Sequence, residues 1–237
     1  MPTVLVFGVR NLGRAIALER AGQGWDVAGM AQSEDSVQAF RDAVPGALGL
    51  VGDAARSADV ERAFAETVER FGSVDLVVDA ITARPRGSFG GGALAEASED
   101  DLEPYAGELL TGIFNIVRIA ARVLGEQGSG TLVQITGGSA RRGMVGRGPW
   151  AAAAFATRAL LQSAALELRE RGVHAALLVV DASIESPKTA ALLEGRPPEA
   201  STTQEDVAAA VAYLATQSSR GWTHELQITP SGDRWVP

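Results

Sequence analysis

Residues 3–19 constrain this chain more than any other stretch. Thr3-Val4-Leu5-Val6-Phe7 is short, apolar and partly β-branched, as a strand buried on both faces requires. Gly8-Val9-Arg10-Asn11-Leu12-Gly13 is a glycine-flanked turn, and Arg14-Ala15-Ile16-Ala17-Leu18-Glu19 reads as a helix with an apolar stripe. Strand, glycine turn and helix in succession make a phosphate-binding opening, because a helix start offers free N–H groups to an anion. Gly8 and Gly13 hold the first and third glycine positions of G-x-G-x-x-G, but Arg10 replaces the middle one. That glycine normally lets backbone approach a pyrophosphate. An arginine there either pairs with phosphate or fills the space, so a working nucleotide site and a decayed one both remain open.

The rest of the chain repeats the strand–helix alternation. Strands are expected at 26–30, 47–51, 74–79, 131–136, 173–180 and 225–229. Helices are expected after Ser33, over 60–71 ending at Gly72, over 102–124 with Ser98 and Asp101 as a capping box, over 149–169 and over 204–216. Such alternation predicts a parallel sheet with right-handed crossovers in one domain spanning 1–237. Residues 82–97, with Arg84, Pro85, Arg86 and Gly90-Gly91-Gly92, form a loop that is either a ligand-binding segment or a floppy surface connection.

Composition excludes several functions. The net charge of −8 argues against a general nucleic-acid binder or an anionic membrane surface. Without cysteine there is no disulfide, thiolate nucleophile or thiolate-bound metal. His174 and His224 stand far apart in sequence, and no metal site is expected. No apolar run has the length of a membrane span, and the first strand leaves no room for a signal peptide, so a cytoplasmic protein is expected.

The order of elements and several local strings resemble the short-chain dehydrogenase/reductase family over almost the whole chain. The strings are Gly8…Gly13-Arg14-Ala15-Ile16-Ala17, Asp53 after the third strand, Asp59-Val60-Glu61 through Arg70-Phe71-Gly72-Ser73-Val74-Asp75, Leu110-Thr111-Gly112, Gly128-Ser129-Gly130 and Glu205-Asp206-Val207-Ala208. The tail strings from His174 to Asp181 and from Gly221 to Leu226 are similar to a diverged bacterial branch that often lacks the family's tyrosine. The resemblance implies a three-layer Rossmann fold: a seven-stranded parallel sheet in the order 3-2-1-4-5-6-7, with helices on both faces. It also implies a homodimer or homotetramer, and cofactor contacts from Gly8, Arg10, Asn11, Leu12, Gly13, Asp53 and Ser186. Ala31 and Gln32 supply no acid for ribose hydroxyls, so NADP is expected over NAD, weakly, with Arg10 as the phosphate partner.

The family's catalytic residues are missing. The tyrosine and lysine positions hold Trp150 and Ala154, the serine position holds Gly137 and the asparagine position holds Leu109. Asn-Asn-Ala-Gly reads Asp79-Ala80-Ile81-Thr82, and Pro-Gly reads Asp181-Ala182. Two readings follow. One is a nucleotide- or ligand-binding or scaffold subunit without the usual hydride transfer. The other is a divergent NAD(P)-dependent oxidoreductase with a substitute donor, for which Ser139 and Asp181 are the candidates. Against that, Ser139 reads as a turn residue, Asp79 and Asp181 as helix caps or water-facing acids, Tyr105 as packing, and Arg141, Arg142 and Arg147 as a solvated loop.

Overall fold

The computed structural model describes residues 1–85 and 87–233. Arg86, one of the basic residues of the 82–97 loop, lies outside them. Seven parallel strands form one sheet in the order β3-β2-β1-β4-β5-β6-β7. They are β1 (Thr3–Phe7), β2 (Asp26–Ala31), β3 (Leu48–Val51), β4 (Leu76–Asp79), β5 (Gly130–Gly137), β6 (Val173–Val180) and β7 (Glu225–Ile228). The expected order and parallel pairing of the sheet are those observed.

Strand periodicity divides the core in two. Leu5, Phe7, Val77, Leu132, Leu177 and Val179 face one side, against α3 (Ser57–Phe71), α5 (Leu110–Gln127) and α6 (Gly148–Leu168). Val4, Val6, Val78, Val133, Leu178 and Val180 face the other, against α1 (Leu12–Gly22), α2 (Glu34–Ala43) and α8 (Gln204–Ala215). The short α7 (Ala190–Leu193) lies in the connection between β6 and α8. Both faces are covered, which is why the central strands are mainly apolar. Chain order reverses between β1 and β4, and a crevice opens beyond the C-terminal ends of strands at such a switch point.

The caps fall where the sequence places them. Ser33 accepts from the Ser36 N–H at 3.4 Å, Ser98 and Asp101 form a capping box, and Gly72 closes α3 at φ +91°. The helix expected over 102–124 begins earlier and is not uniform. It starts as α4 (Glu99–Glu103), widens into a π turn over Pro104–Leu109 and continues as α5. Pro104 has no N–H for the i→i−4 ladder, and the Glu103 carboxylate folds over Gly107, where a Cβ would collide with it. The π turn carries Tyr105 and Leu109 inward to buried positions. Among the described residues no helix is long and apolar enough to cross a membrane.

Candidate functional site

The turn after β1 is tight enough to require glycine. A Cβ on Gly8, at φ +91°, would lie 2.7 Å from the Ala80 carbonyl oxygen, and one on Gly13 would strike the Gly8 carbonyl. The turn is thereby pressed against the residues that follow β4. Arg10, Asn11 and Leu12 are half-buried along it. Beyond β3, Asp53 Oδ1 accepts from the Ala55 N–H at 3.0 Å and from Gln32 Nε2 at 2.9 Å. Gln32, one of the two residues where a ribose-binding acid was sought, is therefore tied to Asp53. Asn115, a polar residue in the apolar stripe of α5 that the sequence reading passed over, donates from Nδ2 to the Ala54 carbonyl at 2.9 Å. Its signal was its place between Phe114 and Ile116.

Further along the sheet edge, the Gly90–Gly92 part of the 82–97 loop is packed against α6. Gly90, Gly91 and Gly92 have φ of +99°, +97° and +79°. A Cβ on Gly90 would meet Arg147 Cγ at 2.6 Å, and one on Gly91 would strike the Pro149 ring. The triplet thus lets the loop sit directly on the start of α6. The Gly90 N–H donates to the Tyr105 hydroxyl at 2.5 Å, and the Trp150 N–H donates to the Gly90 carbonyl at 3.4 Å. Phe89 and Tyr105 flank Trp150, with ring centroids 5.5 and 5.9 Å away. The Trp150 ring also reaches toward β5: a Cβ on Gly137 would lie 3.5 Å from its Cζ2.

Of the three loop arginines, Arg141 and Arg142 are paired with carboxylates, while Arg147 is exposed as expected. Arg142 makes two hydrogen bonds to the Asp181 carboxylate, at 2.6 and 3.0 Å. Arg141 lies 3.7 Å from Glu225, which Arg158 clamps with two bonds of 2.8 Å. Arg147 stands 5.5 Å over the Phe89 ring. Asp181 therefore neither caps a helix nor faces water; it is buried and lies so close to Gly138 that a side chain there would strike its carboxylate. Ser139 is fully buried in the 3₁₀ turn Gly138–Ala140, and its hydroxyl has no partner.

Asp79 is likewise sealed. Its Oδ1 accepts from the Ile81 N–H at 3.0 Å, its Oδ2 has no partner, and Gln134, opposite it across β4 and β5, leaves Oε1 unpartnered. Burial pushes the Asp79 carboxyl up to about 7. The histidines, distant in sequence, meet through the pairing of β6 with β7: their ring centroids are 5.7 Å apart, and His174 stacks on Trp222 at 5.1 Å. His174 Nε2 and His224 Nδ1 lie 2.9 and 3.1 Å from the carbonyls of Thr223 and Ala175. No group of metal-ligating side chains is present among the described residues. After β6, the Ser186 N–H donates to Thr189 Oγ1 at 3.0 Å, and that hydroxyl donates to the Ile184 carbonyl at 2.6 Å.

A family model described as enoyl-(acyl carrier protein) reductase matches residues 8–229. The chain belongs to the short-chain dehydrogenase/reductase family. A 3-oxoacyl-[acyl-carrier-protein] reductase of Staphylococcus epidermidis is 27% identical over 232 residues, covering 92% of this chain and 93% of that protein. An NADPH-dependent pterin aldehyde reductase of Arabidopsis thaliana is 28% identical over 172 residues, covering 71% of this chain and 69% of that protein. The solved structure of an actinorhodin polyketide ketoreductase variant with NADPH superimposes with a TM-score of 0.84 at 24% identity, over 97% of this chain and 96% of that one.

Short-chain dehydrogenases imply a nicotinamide cofactor, and this chain fits one unevenly. At the phosphate end, Gly8 and Gly13 keep the close turn, and Asp53 is held in place. At the hydride end, the family resemblance assigns its tyrosine, lysine, serine and asparagine positions to Trp150, Ala154, Gly137 and Leu109. Ala154 and Leu109 are buried, Trp150 covers Gly137, and the Arg142–Asp181 pair fills the space beside Gly138. The nicotinamide does not fit there.

Proposed function

We propose that this chain binds a nucleotide or related small-molecule ligand, as a homodimer or homotetramer, without the family's tyrosine-dependent hydride transfer. The observation that carries this reading is Trp150, lodged between Phe89, Tyr105 and Gly137 where the proton donor belongs. Carbonyl reduction needs a proton donor beside the forming alkoxide. The indole N–H does not titrate, and Ala154 brings no charge to tune a neighbour. General acid–base help contributes about 10²–10⁴-fold, and a lost oxyanion donor removes roughly another 10²-fold. The substitute candidates fare no better: Ser139 is sealed, and Asp181 is committed to Arg142. NADPH consumption across a panel of ketones and aldehydes is expected to stay at background, and steady turnover would overturn the reading.

Residual cofactor binding should favour NADPH over NADH, because Arg10 lies in the phosphate turn and no acid occupies Ala31 or Gln32. The NADPH-dependent relative supports this preference. In a fluorescence titration, Arg10→Ala should abolish the difference between the two cofactors. A wild-type preference for NADH, or an NADPH affinity unchanged in the variant, would count against it.

Self-association is supported by an open apolar depression between α5 and α6, lined by Ala106, Leu110, Thr111, Phe114, Ala156 and Leu160. Phe114 and Phe155 stand about half exposed on these helices. Sedimentation at micromolar concentration should give a dimer or tetramer, and Phe114→Asp should shift it toward monomer. A monomeric wild type is the contrary result.

A further inference from the structure

The unevenness of the crevice points to a ligand. Three cations come to the phosphate end from three different strand ends: Arg10 from the turn after β1, Arg84 from the loop after β4 and Lys188 from the loop after β6. The first two loops are in direct contact, since Gly8 abuts Ala80 and Ile81. Lys188 sits in a turn fixed by the Thr189 hydroxyl, which bonds Ile184 and the Ser186 N–H. It is the only lysine in the chain. Its side chain is exposed, and partial desolvation and after it the charges of Arg10 and Arg84 hold its ammonium below the usual lysine range. None of them forms an ion pair among the described residues, whereas Arg141, Arg142 and Arg158 nearby are all matched to carboxylates. Like charges gathered without an anion repel, and a polyanion relieves that repulsion.

We infer that this crevice takes a nucleoside polyphosphate, with its phosphate chain on Arg10, Arg84 and Lys188, and not a dinucleotide extended toward α6. Two further observations support the shape of that ligand. The Asp53–Gln32 pair remains at the nucleoside end of the crevice. The opposite end is filled by Trp150 and by the Arg142–Asp181 pair. A nicotinamide arm therefore adds bulk without a seat, while a third phosphate meets a third cation. The inference rests on the non-redox reading above and narrows it.

Isothermal titration of the full chain with ATP, tripolyphosphate and NADPH tests it. ATP should bind at least tenfold more tightly than either of the others. Arg84→Ala and Lys188→Ala, both at exposed loop positions, should each weaken ATP about tenfold. Because there is one lysine, an amine-acylating reagent followed by mass spectrometry reads Lys188 directly, and ATP should slow its modification about tenfold. Tripolyphosphate binding as tightly as ATP would remove the nucleoside from the assignment and so overturn it. Tighter binding of NADPH than ATP, or ATP affinity indifferent to both variants, would overturn it outright. Absence of ATP binding with NADPH still not consumed would defeat this inference alone, whereas NADPH turnover by the wild type would defeat the broader reading.

Discussion

Asp79→Asn should stabilise the protein strongly at pH 8 and hardly at all near pH 4. The carboxyl is fully buried, and its folded pKa stands at about 7 against 3.8 for an ordinary aspartate. Below about pH 4 the group is neutral in both folded and unfolded chains, and the fold loses nothing by it. Between pH 4 and 7 the unfolded chain releases its proton while the folded chain keeps it. Stability therefore falls as pH rises, by up to about 1.4 kcal/mol per unit, and levels off above pH 7. The full penalty is on the order of 4 kcal/mol, or roughly 10 °C in melting temperature for a chain of this size. An asparagine carries the same shape without the charge. Its oxygen can accept from Ile81, and its Nδ2 can donate to the unpartnered Gln134 Oε1. Calorimetry at the two pH values separates this from generic repacking: an equal gain at both, or a loss at pH 8, would contradict the sealed carboxyl.

Rebuilding the catalytic residues should fail. The triple variant Gly137→Ser, Trp150→Tyr, Ala154→Lys restores the proton donor and its neighbours in name. A serine fits at Gly137, where the nearest ring atom is at ordinary contact distance. Position 154, however, is 2% exposed on a helix face packed into the sheet, so a lysine there arrives without solvent or a partner. Leu109 still replaces the asparagine, and Asp181 still holds Arg142 beside Gly138. Reaction geometry tolerates errors of about 1 Å at most, and these residues leave the nicotinamide no place to lie. The expected result is NADPH consumption at background with every carbonyl tested, and a melting temperature several degrees below the parent. Robust turnover at unchanged stability would show an intact hydride pocket.

The two predictions differ in how far the sequence foretold them. The sheet was legible because β1, β4 and β6 are apolar runs divided by glycine turns, and because both faces of a parallel sheet must be covered. The positions to compare with the family's catalytic residues were legible too, since Gly137, Trp150 and Ala154 stand at the family's spacing. What escaped the sequence is pairing between distant loops. Arg142 meets Asp181 across 39 residues, and Arg158 meets Glu225 across 67. A run of arginines in a loop reads as solvated until the strand ends that answer it are placed. Asp79 escaped for a related reason: a carboxylate at a strand end ordinarily finds water, and only the packing of β5 and α5 over it removes that option. The π turn at Pro104 needed the contact between Glu103 and Gly107, which no local propensity encodes.

The seating of Gly90, Gly91 and Gly92 on α6 also bears on ancestry. Each adopts a backbone conformation that side chains rarely tolerate, and Gly90 and Gly91 touch Arg147 and Pro149 so closely that even a methyl group collides. With the loop seated there over Trp150, a tyrosine at that position would by itself change little. The loop would still lie on the helix, and loosening it first would sacrifice stability for nothing. Each backward step is unfavourable until all have been taken. The contact works as a ratchet: on the non-redox reading, it would oppose the return of a tyrosine more firmly than the loss of four side chains alone.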